Sequence, residues 1–369
     1  VSFMSASPFE HPFLSGLLGD ADMAPFFSVE ADVGAMLAFE TALARAEAAE
    51  GIVPAAAAHR IIDALAGFEP DLAALQAGVA RDGVVIPDLV RQLRAAVGDE
   101  AAGFVHLGAT SQDVIDTGLA LRLKPALALL GRRLDAVVGA LDALQARDGA
   151  IEVMGHTRMQ AAIPVPAARK IASWRDPLAR HRTRLDAVAA GVAILHFGGA
   201  AGTLEKLGDK AGAVTRRLAD LLDLAPVDRP RHSERDGVAE LASWLSFVTG
   251  SLGKMGQDVA LAAQSEVGEI RLSGGGGSSA MPHKVNPVGA ETLVTLARFN
   301  ATLLSGMHQS LVHENERSGA AWTLEWMLLP QMVMAASTAL RHARALVGQV
   351  AFRPLENGAV GAPARDARS

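Results

Sequence analysis

Leu119, Leu123, Leu127, Leu130, Leu134, Val137, Leu141 and Leu144 recur at steps of four and three. That spacing puts them on one stripe of an α-helix. Ile163, Ala167, Ile171, Trp174, Leu178, Leu185, Val188, Val192 and Leu195 keep the same rhythm, with His181 filling the one gap. Val238, Leu241, Leu245, Val248, Leu252, Met255 and Val259 form a third stripe. A repeat near 3.5 residues predicts helices packed side by side at a shallow angle. A helix of about 35 residues is about 50 Å long, so the bundle should be elongated. Pro125 should kink the first long helix. Residues 290–311 and 321–349 also read as helices. Before residue 105 the predicted helices are shorter, at 30–50, 55–66, 71–79 and 86–97, broken by Gly51, Pro54, Pro70, Gly83 and Pro87.

Composition agrees with an all-α fold. The chain is rich in Ala and Leu and has no tyrosine, which favours helix over strand. The expected architecture is a small N-terminal helical domain over 1–105, a central bundle of long helices over 106–350 and a short tail over 351–369. So many apolar stripes in one chain mean more than one buried face. One copy cannot bury them all, so the chain is expected to oligomerise.

Charge and composition exclude several functions. Hydrophobic residues make up 50% of the chain and charged residues 20%, which argues against disorder. Net charge is −6 and no basic block is present, which argues against nucleic acid as a partner. The absence of cysteine excludes disulfides and thiolate metal sites. No apolar run approaches the ~20 residues that span a bilayer, and no basic-then-apolar start suggests a secretory signal. The default expectation is a soluble cytoplasmic protein without membrane contact.

The most informative segment is Ser273-Gly274-Gly275-Gly276-Gly277-Ser278-Ser279-Ala280-Met281-Pro282-His283-Lys284-Val285-Asn286-Pro287. A glycine run has much backbone entropy to lose and does not hold a helix. Here it lies between helical segments and carries two hydroxyls, a lysine and an amide. That combination predicts a mobile loop closing over an anion, whereas a plain linker would stay Gly/Ser-rich throughout.

The segment resembles the signature loop of the fumarase/aspartase superfamily, Gly-Ser-Ser-x-Met-Pro-x-Lys-x-Asn-Pro, at every fixed position. His106-Leu107-Gly108-Ala109-Thr110-Ser111-Gln112-Asp113 looks like the superfamily's first conserved region. Gly155-His156-Thr157-Arg158-Met159-Gln160-Ala161-Ala162 looks like its second. The resemblance implies a homotetramer built on shared long helices, each active site drawing on three chains. It implies that Ser278 transfers a proton at the carbon alpha to a carboxylate, and that Lys284 neutralises the carboxylate and its enolate-like intermediate. Asn286 and Met281 would line the same site, with Ser279 in support. Thr110 and Ser111 stand before a long helix, where unpaired amides accept an anion. Ordinary capping is the competing reading, and Asp113 is assigned that part. His106 precedes the same turn and is a further candidate.

One departure matters. Lyases of the superfamily such as fumarase and adenylosuccinate lyase have Thr-His where this chain has Thr157-Arg158. Arginine is no base near neutral pH, but it can hold a carboxylate with two prongs. Thr157, Arg158 and Gln160 therefore read as substrate contacts, while His156 is displaced by two residues and should point elsewhere. His313-Glu314-Asn315-Glu316-Arg317 with Trp322-Thr323-Leu324-Glu325-Trp326 resembles a block of bacterial 3-carboxy-cis,cis-muconate cycloisomerases, and so does the N-terminal Met36–Ala46 phrasing. Arg317 is expected to contact an anion.

The resemblance implies an intramolecular lyase acting on a small tricarboxylate, or on a sulfonated dicarboxylate analogue, in aromatic catabolism. It implies no metal and no organic cofactor. An adenylosuccinate lyase-like enzyme is the alternative, disfavoured by the missing Thr-His. An inactive helical scaffold is the second, disfavoured by the intact loop.

Overall fold

The computed structural model describes residues 6–277, 281 and 284–355. Ser278 and Ser279 lie outside the described residues, as do positions 356–369 of the tail.

The short helices come first. They are α1 Val29–Ala49, α2 Ala55–Leu65, α3 Leu72–Asp82 and α4 Ile86–Val97. Ser28 caps α1 by accepting from the Ala31 N–H at 3.2 Å, and Asp71 caps α3 through the Ala73 and Ala74 N–H groups. The long elements follow: α5 Ser111–Asp148 and α6 Ala167–Val192. After α7 Ala211–Leu222 come α8 Asp236–Ala262, α9 Val288–Gln309 and α10 Ala320–Gln349. The first and third apolar stripes lie on α5 and α8. Their residues form one core with α6, α9 and α10, in which Leu130, Leu134, Val137, Leu141, Leu245, Val248 and Leu252 are fully enclosed.

The second stripe needs a correction. Ile163 is on a strand and is exposed, and α6 begins only at Ala167. Pro164 and Pro166 lack the N–H donors a helix needs, and proline restricts the preceding residue to extended backbone. Among the described residues, the mainly helical fold carries six short strands that the sequence pattern does not predict. They pair antiparallel as β1 Glu152–Thr157 with β2 Gln160–Pro166, β3 Ile270–Leu272 with β6 Val350–Phe352, and β4 Gly276–Gly277 with β5 Val285–Asn286. Among the described residues, no helix is long and apolar enough to cross a membrane.

A second core joins α1, α2 and α4 to the start of α5 and to residues 195–224. Glu47 of α1 is enclosed within it, and neither carboxyl oxygen has a hydrogen-bond partner among the described residues. Burial, with the charge of Glu40 added, pushes its pKa up to about 9. The native state therefore holds a proton that the unfolded chain gives up, and stability falls as pH rises through that window. Glu47→Gln keeps the shape without the charge. It should be nearly neutral at about pH 4 and stabilising by about 2–4 kcal/mol at about pH 8. Urea melts of both proteins across this range test it, and a gain that does not change with pH would refute the buried proton.

Candidate active site

The long helices give the bundle two ends. At 38 residues and about 1.5 Å rise per residue, α5 spans about 57 Å. Its N-terminus marks one end, where α8 and α10 also begin. Its C-terminus marks the other, where α6 and α9 begin and the three strand pairs lie.

At the first end, Asp113 organises the entry to α5. Its carboxylate accepts from the Thr110 N–H at 2.9 Å, which is the predicted capping contact. It also accepts from the Gly198 and Gly199 N–H groups at 2.8 and 2.9 Å, and His232 Nε2 lies 2.7 Å away. Capping by Asp113 leaves the half-buried Thr110 and Ser111 at the positive end of a long helix. Gly199 must be glycine, because a Cβ there would lie 2.7 Å from the Gly108 carbonyl oxygen.

His106 adopts a left-handed backbone at φ 63°. Its Nδ1 lies 2.6 Å from Glu40 Oε1 on α1. Burial alone would lower its pKa. The Glu40 charge and hydrogen bond, aided by Asp113, outweigh burial and raise it above the ordinary histidine value.

Arg317 reaches the same end from the segment before α10. Its Nε donates to Gln112 Oε1 at 2.8 Å, and Nη2 donates to the Ala200 carbonyl at 3.3 Å. Gln112 is fully buried and passes the link on, donating to Asp116 at 3.1 Å and to the His232 carbonyl at 2.8 Å. Behind it lies a buried charge cluster. Arg235 donates to Asp116 at 2.7 Å with Nη1 and to Glu325 at 2.9 Å with Nε. The Trp322 Nε1–H donates to Asp116 at 2.9 Å. Burial would raise the Asp116 pKa, but Arg235, His196 and Trp322 together hold it at about 2. Burial lowers His196 to about 4, so it stays neutral.

The second-region residues are at the other end. Thr157 and Gln160 pair as the last rung of the β1–β2 hairpin, and Arg158 and Met159 form its two-residue turn. Both turn residues have positive φ, 48° and 68°. Two-residue hairpin turns of this hand usually carry glycine or asparagine, so these side chains are held in a costly conformation. All four residues are exposed. His156 turns back to the Met154 carbonyl, 3.1 Å from its Nδ1, and lines a separate cleft of about 330 Å³ with Lys170 and Trp174. Lys284 and Met281 are exposed at this end, and the half-buried Asn286 pairs with Gly276.

One copy therefore brings His106, Thr110, Ser111 and Arg317 to one end. It leaves Thr157, Arg158, Gln160, Met281, Lys284 and Asn286 at the other, on the order of 50 Å away by the length of α5. The cavities follow this division. An open cleft of about 880 Å³ beside Arg317, Trp322 and Trp326 includes no residue of the hairpin or the glycine loop.

Comparison with known proteins identifies the family. The profile of a lyase family matches residues 22–300. A 3-carboxy-cis,cis-muconate cycloisomerase of Pseudomonas aeruginosa is 42% identical over 333 residues, covering 89% of this chain and 72% of that protein. The chain belongs to this lyase family. The lyase chain also superposes on the crystal structure of a 3-carboxy-cis,cis-muconate lactonizing enzyme from Pseudomonas putida. The TM-score is 0.86 at 38% identity, covering 92% of this chain and 77% of that one. A fumarate lyase from Mesorhizobium sp. BNC1 superposes with a TM-score of 0.84 at 35% identity, covering 90% and 76%. The fumarase/aspartase resemblance and the fold read from the sequence are thus correct.

The sequence reading of this lyase missed Glu40 as the partner of His106, the Asp116–Arg235–Glu325 cluster, and residues 198–204 beside Arg317. Only the last left a signal, Gly198-Gly199-Ala200-Ala201-Gly202, a second glycine-rich run. Buried ion pairs between residues 119 and 90 positions apart leave no local pattern.

Proposed function

We propose that this lyase is a 3-carboxy-cis,cis-muconate cycloisomerase. The carrying observation is 42% identity over 89% of the chain to an enzyme of that name. One substrate carboxylate adds across a double bond of the same molecule. The new C–O bond closes a lactone, the displaced electron pair moves toward a second carboxylate, and a proton is delivered to the carbon alpha to it. The substrate carries three negative charges. His106, the α5 N-terminus and Arg317 supply positive potential from one end, and Arg158 and Lys284 supply it from the other. Asn286 and the polar Thr157, Gln160 and Ser279 complete the set, with Ser278 as the proton-transfer group. Preorganised cations of this kind are worth most where charge develops.

Since the two sets sit at opposite ends, we propose that each site is assembled from several antiparallel copies in a homotetramer. Exposed Phe247 on α8 and Val312 before α10 are apolar surface for such contacts. The division at 105 and 350 into N-terminal domain, bundle and tail belongs to the same proposal.

Absorbance assays with carboxymuconate, sulfomuconate, fumarate and adenylosuccinate in parallel test the reaction. Turnover of adenylosuccinate alone would overturn it. Arg158→Ala and Arg317→Ala should each be nearly inactive. Co-expressed, they should regain activity, because some hybrid sites draw Arg158 from an Arg317→Ala chain and Arg317 from an Arg158→Ala chain. No recovery in a mixed tetramer would place both arginines of a site on one copy.

A further inference from the structure

Two buried carboxyl groups, Glu40 and Glu47, stand seven residues apart on α1. That spacing is about two helical turns and puts them on one face. Their surroundings differ. Glu47 has no hydrogen-bond partner among the described residues. Glu40 is 2% exposed and meets His106 Nδ1 at 2.6 Å, within the range of a charge-assisted hydrogen bond. With one cationic partner for two buried carboxyls, the charge-assisted pair is Glu40–His106.

The His106 ring is 13% exposed, one turn of backbone before the N-terminus of α5. With Nδ1 committed to Glu40, Nε2 is the ring nitrogen left for a ligand. As imidazolium it presents an N–H to an anion. As neutral ring with the proton on Nδ1 it presents a lone pair, which repels a carboxylate. The charged groups acting on the ring are Glu40 of α1, Arg94 of α4 and Asp113 of α5. Of these Arg94 opposes the imidazolium, and Glu40 is the group in contact.

We propose that Glu40 is a positioning residue for the reaction. Its carboxylate holds His106 with Nδ1–H turned inward, so that a cationic Nε2–H faces a substrate carboxylate. The proposal rests on the cycloisomerase reading for its substrate, but the pairing itself does not.

The test uses Glu40→Gln, whose amide oxygen can still accept from Nδ1–H, so geometry is kept and charge removed. In spectra of the intact protein with ¹⁵N-labelled histidine, assigned by the signal lost in His106→Asn, the His106 midpoint should fall by about one pH unit or more. KM for carboxymuconate should begin to rise at correspondingly lower pH in Glu40→Gln, with kcat much less affected. In a His106→Asn background Glu40→Gln should change KM no further. An unchanged His106 midpoint, or equal effects of Glu40→Gln with and without His106, would overturn the proposal. So would wild-type kinetics in His106→Asn. If the wild-type protein does not turn over carboxymuconate, the cycloisomerase reading falls, and the His106 titration still decides the pairing.

Discussion

Arg235→Ala is expected to cost about 3–5 kcal/mol of stability. Arg235 is 3% exposed and bonds to Asp116 and Glu325, which are buried as deeply. Alanine would leave two carboxylates enclosed without a counter-charge. They must then take up protons or draw in water, and either costs several kcal/mol. The damage should reach the site. Asp116 accepts from Gln112, which orients Arg317, so surviving protein should also bind substrate poorly. Arg235→Lys should recover only part of the loss, since a lysine cannot bridge two carboxylates with a planar fork. Replacing Arg235, Asp116 and Glu325 together by Met, Leu and Leu removes every charge and should be far milder than Arg235→Ala alone. Urea denaturation of the three variants checks this. A triple variant as unstable as the single would mean that the cluster is not held by charge compensation.

Ser278→Ala is expected to lower kcat by about 10²–10⁴, the usual contribution of a positioned proton-transfer group, with the melting temperature nearly unchanged. The proposal assigns Ser278 the proton delivered beside a carboxylate. Its alkoxide form needs nearby positive charge, and Lys284 follows it by six positions in the same loop. Lys284→Ala should therefore lower kcat as well, whereas Ser279→Ala should be mild. Stopped-flow and steady-state absorbance on matched samples separate these cases. Near wild-type turnover in Ser278→Ala would move the proton transfer to Ser279 or His106.

The helices were legible because their cause is local. Leu119 to Leu144 recur at helical spacing whatever they pack against, and α5 and α8 carry their stripes as read. Ile163 shows the limit. It fits the period, but Pro164 and Pro166 forbid the helix, and only the β1–β2 pairing gives those residues a place. The chemistry of the glycine loop was legible for a related reason, since Lys284 and Asn286 stand close together in the chain and their types suffice to suggest an anion. Thr110 and Asp113 were likewise readable as a helix start from their spacing alone.

Tertiary structure decided which of these groups can meet. No spacing tells that His106 finds Glu40, 66 positions away, or that Arg317 is held through Gln112. Such contacts depend on how helices pack, and packing is set by the summed burial of many side chains rather than by any short segment. The same cause parts the candidate site. A rigid helix of 38 residues carries Thr110 and Arg158 to opposite ends of one copy, although a sequence lists them only 48 positions apart.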